Sequence, residues 1–465
     1  MGPLHLHYRF GGGPASTDLN LWVALATVLA IVLILWRPRK EAIVPFLLAI
    51  FLIPKGQVLV IAGLHFFVYR LILLAGLTRW MISRRSSPLI GGFNRMDWLV
   101  TLLAFSCLIV FSLQWREAQA IIKASGDFLD TMGGYFALRF LIRDRQDTRK
   151  AIEVFAFVAI VMGICMLNEQ RTGVNVFGLL GGTAATPEVR DGAIRSQGVF
   201  QHSILAGTFG ATLMPLLVWL WSDKKSRLYV SLALLGTLVM VVTPHSSTTL
   251  GTYAAGIFAL CLWPLRRQMR AMRFGIVAAL IGLEIVMKGP VWSLLEHINL
   301  TGSSDSYHRY QLIDTFIRHF SDWWLLGARD NGSWGWQMID TSNQYVTYGI
   351  SGGLISFVLF IALVSRAFGM IGNARKRASG NRKEEWFIWC IGAAMFAHVV
   401  AYFGIDYFDQ MQFAWLALLA MISALSVEAV PFETKPAFRD RAQKEPAWSY
   451  AADVGASREL VEMHR

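Results

Sequence analysis

The chain has 465 residues, of which 55% are hydrophobic and only 16% charged, against about a quarter charged in an ordinary soluble domain. That composition excludes a soluble globular protein. The net charge of +12 does not argue for nucleic acid as a partner, because the basic residues cluster between apolar blocks.

Met1 to Asp18 hold one basic residue, Arg9, and no cleavage-like pattern. Leu19 to Trp36 is therefore expected to be a retained helix and not a signal peptide. Apolar blocks predict spans over 19–36, 42–53, 58–77, 97–113, 127–142, 151–168, 200–221, 228–243, 249–264, 274–288, 343–365, 386–404 and 411–428. Lipid offers exposed backbone no partner, so the spans must be helical. The fold class is all-α, a polytopic membrane protein of about 12–13 transmembrane helices. The block 42–53 is short, with Pro45 inside and Pro54-Lys55-Gly56 after it, which suits half of a broken or re-entrant element.

Alternate connections carry the basic residues: Arg37 to Lys40, Arg79 with Arg84-Arg85, Arg143 to Lys150, Lys224 to Arg227, Arg266 to Arg273 and Arg375 to Lys383. This asymmetry assigns them to the cytoplasm. Residues 1–428 form the membrane domain, and the polar segment 429–465 is expected to be a cytoplasmic, partly disordered tail. The opposite side receives 169–199, 243–249, 404–410 and the long segment 289–342, whose length suggests a functional loop carrying short helices. Membrane lipids are the expected surroundings.

Cys107, Cys165, Cys261 and Cys390 all lie in apolar blocks without metal-ligand spacing, so neither disulfides nor a zinc site is suggested. No Asp-rich metal signature appears on the outer side, and no cofactor is implied. A charge inside a span reads as functional by default. Arg70 interrupts an apolar run deeply enough to be a candidate substrate contact, whereas Arg139 lies one turn from the inner edge and is expected to snorkel. His65 and His398 are expected to be satisfied core histidines.

Arg190 and Arg195 stand on the side that otherwise avoids basic residues, in a run ending Gln201-His202. Arginine forks onto phosphate oxygens, so these two invite an anionic ligand; snorkelling to headgroups is the alternative. His202 completes the run. The turn Thr243-Pro244-His245-Ser246-Ser247-Thr248-Thr249 is rich in hydroxyls, with His245, Ser246 and Ser247 able to donate to substrate oxygens or to cap broken helix ends. In the long segment, Tyr307 and Arg309 lie early; Trp323, Trp324, Trp334 and Trp336 suit sugar faces or a membrane interface; Asp340 is a possible proton acceptor. Asn343 and Tyr345 open the next span. Partial desolvation is expected to make Asp340 more basic; alternatively Asp340 or Ser342 caps the following helix.

Order and spacing of these clusters resemble the O-antigen ligase and polymerase superfamily, over roughly half the chain. Arg195-Ser196-Gln197-Gly198-Val199-Phe200-Gln201-His202 matches the family's Arg-x-x-Gly-x-Phe-x-His run. Ser246-Ser247-Thr248 stands as its Ser-rich turn, Arg309 as its loop arginine, Trp324-Leu325-Leu326-Gly327 as its Pro-Leu-x-Gly-like element. Ser342-Asn343-Gln344-Tyr345 aligns with its His-Asn-x-Tyr/Phe motif, so the family's histidine is replaced by Ser342. The resemblance implies an inverting, metal-independent glycosyltransferase at the periplasmic face of a bacterial inner membrane. Its donor would be an undecaprenyl-pyrophosphate-linked glycan, and its acceptor a glycan or lipid. Arg195, Arg309 and Asp340 are the expected catalytic residues. The rival readings are a transporter of an anionic solute using the same arginines, and a non-catalytic scaffold of envelope assembly.

Overall fold

A computed structural model describes residues 18–61, 64–83, 89–297 and 305–428 of the chain. The expectations placed on 1–17, on Arg84-Arg85 and on the tail 429–465 lie outside the described residues.

Helix dominates. The helices are α1 (Leu21–Trp36), α2 (Arg39–Leu52), α3 (Val68–Ile82), α4 (Arg95–Trp115), α5 (Ala118–Leu141), α6 (Arg145–Thr172), α7 (Ser203–Trp221) and α8 (Arg227–Val242). They continue as α9 (Ser247–Cys261), α10 (Met269–Val286), α11 (Asp305–Arg318), α12 (Phe320–Trp323), α13 (Gln344–Arg377), α14 (Arg382–Ala401) and α15 (Asp409–Glu428). By length and composition, six are long and apolar enough to cross a membrane: α4, α6, α7, α8 with its preceding turn, α13 and α14. α1 and α15 are shorter apolar helices. This is the make-up of a polytopic helical membrane protein. α10 carries Arg270, Arg273 and Glu284 and buries none of its residues.

The block 58–77 departs from expectation. It opens as an antiparallel hairpin, β1 (Val58–Ile61) with β2 (Leu64–Phe67), before α3 begins. Val58, Val60 and Ile61 are β-branched and favour the pleated conformation. Asp18 and Val58 exchange both backbone bonds at 3.0 Å, which satisfies part of the hairpin's outer edge. The block 42–53 forms α2, continuous through Pro45 and short, its 14 residues covering about 21 Å before the chain turns at Pro54 into the hairpin.

Arg139 does not snorkel. It is fully buried, 3.5 Å from the equally buried Asp97, and its Nη2 donates to the Ile90 carbonyl at 2.7 Å. Asp97 also accepts from the Tyr135 hydroxyl at 2.6 Å and from the Asn94 N–H at 2.7 Å, closing a capping box at the start of α4. His398 is a satisfied core histidine, its Nδ1 2.9 Å from the Tyr407 hydroxyl.

The bundle has two chemically distinct ends. At one, Arg39 donates to Asp147 and to the Leu141 carbonyl, both at 2.6 Å; Arg149 meets Asp223 at 2.5 Å, and Arg145 pairs with Glu384. These contacts tie the starts of α2, α6 and α14 to the ends of α5 and α7. The other end holds the hairpin, a second strand pair β3 (Glu188–Arg190) with β4 (Ala193–Arg195), and the turn between α8 and α9.

α13 breaks at Gly353, whose φ of 66° lies in the left-handed region. A Cβ there would stand 2.6 Å from the Leu325 carbonyl oxygen. The broken ladder is repaired by the chain before it: Leu354 N–H donates to Trp324 O at 2.8 Å, and Ala328 N–H to Ile350 O at 2.9 Å. Trp324-Leu325-Leu326-Gly327 thus docks on the kink, the arrangement by which irregular backbone is satisfied at a bundle.

Candidate functional site

The run Arg195 to His202 leaves β4 as extended chain and turns at Gly198, where Phe200 N–H donates to Gln197 O at 3.2 Å, and it is held along its length. Ser196 N–H donates to Thr243 O at 3.3 Å, and the N–H groups of Gln197 and Gly198 reach the buried Glu169 carboxylate at 3.1 and 2.9 Å. Gly198 has φ +59°, and a Cβ there would stand 2.2 Å from Met162 Cε, so no other residue fits without displacing that side chain. Phe200 is fully buried beside Phe209, with ring centroids 5.6 Å apart. His202 caps α7, its Nδ1 accepting from Ile204 N–H at 3.2 Å. The run's glycine, phenylalanine and histidine therefore have structural work that accounts for their spacing.

That scaffold delivers Arg195. Only 4% exposed, it donates from Nε to the Pro244 carbonyl at 2.9 Å and from Nη1 to Glu188 at 3.1 Å. Glu188 faces it across the β3–β4 register and is itself 52% exposed at the side chain. Pro244 belongs to the hydroxyl-rich turn, and so does Thr248, whose hydroxyl accepts from Arg309 Nη2 at 2.8 Å. Two arginines from separate parts of the chain thus converge on one turn. Thr248 in turn donates to Gly404 O at 3.4 Å, joining the α14–α15 connection to the same place.

Within the turn, Ser246 is buried and its Oγ has no partner among the described residues. Ser247 is buried beside it. His245 adopts φ 50° and points outward, its Nε2 3.3 Å from Gln170 Nε2.

Asp340 lies exposed, which removes the desolvation expected for it. Its Oδ1 accepts from Ser342 Oγ at 2.5 Å, and its carbonyl lies 3.3 Å from His308 Nε2. Neither Asp340 nor Ser342 caps α13. Asn343 does, its Oδ1 accepting from Tyr345 and Val346 N–H at 2.9 and 3.2 Å. The Asn343 Nδ2 is buried without an acceptor among the described residues.

The charge of Asp340 lies close enough to be felt at His202 and at Asp406. Asp406, in the α14–α15 connection, is a residue that the sequence reading did not single out. Burial pushes its carboxyl up to about 6, and the charge of Asp340 adds to the effect. It lines a cavity of about 290 Å³ between α4, α5 and α13, with Lys55, Lys123, Asp127 and Asp130 among the polar lining and Leu103 and Phe111 among the apolar.

Other expected residues fall elsewhere. Arg70 Nε and Nη2 bind Asp130 at 2.8 and 3.0 Å, and Tyr69 donates to the same carboxylate at 2.5 Å, so its charge is neutralised within the bundle. Arg190 lies at the far end of the β3–β4 pair, 3.9 Å from Asp191. Tyr307 is exposed. Tyr345 donates to Val399 O at 3.3 Å and packs among Phe360, Tyr402 and Phe403.

The chain matches no family model and no curated protein.

Proposed function

We propose that the protein is a glycosyltransferase of the O-antigen ligase and polymerase type, moving a lipid-linked oligosaccharide onto a glycan or lipid acceptor. The observation that carries this reading is the convergence of Arg195 and Arg309 on the turn 243–249. Two guanidinium groups fixed at one point suit a diphosphate better than a single carboxylate. The buried, unpartnered Ser246 Oγ and Asn343 Nδ2 add polar atoms that a ligand would satisfy.

In the reaction proposed, an acceptor hydroxyl attacks the anomeric carbon as its bond to the diphosphate oxygen breaks. The electron pair leaves with the diphosphate, and the configuration inverts. Negative charge grows on the leaving oxygens, so preorganised arginines stabilise the transition state more than the ground state. The hydroxyl proton passes to a carboxylate. Asp406, half-buried with its carboxyl near 6, suits that role better than exposed Asp340, which orients the acceptor or its neighbours.

The same reading takes all thirteen apolar blocks, less the hairpin, as about a dozen spans. It sets the ion-paired basic end in the cytoplasm and the arginine site at the periplasmic face of a bacterial inner membrane. The test is purified protein in liposomes, given an undecaprenyl-diphosphate-linked oligosaccharide and a panel of glycan and lipid acceptors. A new glycosidic product supports the reading. Passage of the anionic glycan across the vesicle without a new bond would instead favour a transporter.

A further inference from the structure

The ion-paired basic end holds a cavity of about 1090 Å³, at the upper limit of ordinary small-molecule sites. Six cations line it: Arg145, Arg149, Lys224, Lys225, Arg382 and Lys383. Among the described residues, the one carboxylate in its wall is Asp223, already engaged by Arg149 at 2.5 Å. Arg145 pairs with Glu384, and Arg149 also with Glu153 at 2.8 Å. Among the described residues, no carboxylate lies within ion-pairing distance of Lys224, Lys225, Arg382 or Lys383. They are exposed and converge on one space.

Their placement runs against local helix chemistry. Arg145 is the first residue of α6, and Arg382 and Lys383 are the first two of α14. A helix N-terminus carries partial positive charge and is disfavoured by cations in its first turn. The acids of those first turns, Asp147 in α6 and Glu384 and Glu385 in α14, pair with Arg39, Arg145 and Arg266 and, among the described residues, not with Arg382 or Lys383. The basic bias of cytoplasmic connections explains cations at this end but not their gathering around one cavity.

Three tryptophans also line it, Trp219 at the end of α7, Trp263 after α9 and Trp386 in α14. Trp263 and Trp386 meet edge to face at 5.1 Å, and Trp219 packs on Phe387 at 4.3 Å. Tryptophan at the ends of apolar helices marks the level of lipid headgroups. Basic pockets between helices at that level bind phosphate-bearing headgroups.

We infer that this cavity binds the headgroup of an anionic phospholipid, with room for a headgroup carrying two phosphodiesters. Lys224, Lys225, Arg382 and Lys383 contact the phosphates, and the tryptophans seat the glycerol and the upper acyl chains. The site is separate from the arginine site at the opposite end and does not depend on its chemistry.

The experiment delipidates the full-length protein, returns it to an equimolar mixture of phosphatidylcholine and tetraoleoyl cardiolipin, and counts retained lipid by native mass spectrometry. Wild type retains cardiolipin over phosphatidylcholine. The variant K224Q/K225Q/R382Q/K383Q loses that preference at least tenfold, since each basic residue at an anionic surface contributes about fivefold. A control variant, R267Q/R270Q/R273Q/K376Q, removes four charges from the same end outside the cavity and retains it. Equal loss in the control reduces the effect to general surface charge and overturns the site. Displacement of cardiolipin from wild type by inorganic phosphate as readily as by more cardiolipin overturns the lipid in favour of a soluble anion. Retention seen only after removal of the residues beyond 428 assigns the cavity to the chain's own tail and also overturns it.

Discussion

Arg70, Arg139, Arg195 and Arg309 divide by what holds them. Arg139 and Arg70 are met by buried carboxylates, Asp97 and Asp130, each reinforced by a tyrosine hydroxyl. Arg195 is anchored by the Pro244 carbonyl and faces a half-exposed Glu188, while Arg309 is anchored by the Thr248 hydroxyl. A buried carboxylate cancels its partner's charge where screening is weak; an exposed one is screened by water. The first pair therefore reads as architecture, while Arg195 faces a water-screened carboxylate at the polar turn that Arg309 also reaches. An arginine inside a span is not in itself a functional site: its partner decides.

The largest expected effect falls on the architectural pair. Asp97→Asn leaves Arg139 buried and uncompensated, and should cost about 3–5 kcal/mol of stability. Asp130→Asn should cost nearly as much, somewhat less because Arg70 is partly exposed. Glu188→Gln, which removes a screened partner, should cost about 1 kcal/mol or less. Denaturant unfolding in detergent micelles measures all three. Similar losses at Asp97 and Glu188 would erase the distinction.

Next comes the proton acceptor. Asp406→Asn should lower transfer by about 10²–10⁴-fold, whereas Asp340→Asn should change it by less than about tenfold. The pH dependence has a definite sign. A base works deprotonated, and burial has raised this carboxyl to about 6. The rate should therefore rise as pH increases through about 6 and level above it. The inflection should vanish in Asp406→Asn. A profile flat between pH 5 and pH 7 in wild type, both pH values taken about one unit around that inflection, would remove Asp406 from the proton's path.

The site arginines follow. Arg195→Ala and Arg309→Ala should each lower transfer about ten- to a hundredfold, the worth of a charge-assisted bond to phosphate. Lysine should rescue only in part, because it lacks the fork. Initial rates on the lipid-linked donor read this directly, and full activity in the double alanine variant would empty the site of its arginines.

Much of the site's composition was legible before its geometry. Arg195, the hydroxyl turn and Arg309 stand out because basic residues are scarce on their side and their motifs are compact. Their meeting was not legible: Arg195 and Pro244 are 49 positions apart, Arg309 and Thr248 61, and apolar periodicity says nothing of such pairs. The same blindness hides the partners of Arg70 and Arg139, and in Arg139 it turns a buried ion pair into an expected snorkelling residue. The hairpin at 58–67 looks in sequence like the start of a span, because hydropathy alone cannot separate a short apolar strand pair from helix. Asp406 escaped notice because its special character comes from burial and from no motif.

The smallest effect separates two roles of Asn343, the residue beside Ser342. Its Oδ1 holds the start of α13 through Tyr345 and Val346, while its Nδ2 is buried and lacks an acceptor. A purely structural asparagine needs only the oxygen. Aspartate caps a helix about as well, but its second oxygen brings unpaired charge into a buried place, so Asn343→Asp should cost about 1–3 kcal/mol of stability or more. It also replaces the amide donor by an acceptor, and a neutral hydrogen bond to a ligand oxygen is worth about 0.5–1.5 kcal/mol. Transfer should fall by roughly two- to tenfold, chiefly through KM for the donor or acceptor that the amide touches. Asn343→Ala should lose both functions, with about 1 kcal/mol of stability lost along with the rate. Thermal melts and initial rates on the same preparations separate the two. Unchanged rates in Asn343→Asp would make this residue a cap alone, and would leave Ser246 Oγ as the one buried polar atom of the turn still waiting for a ligand.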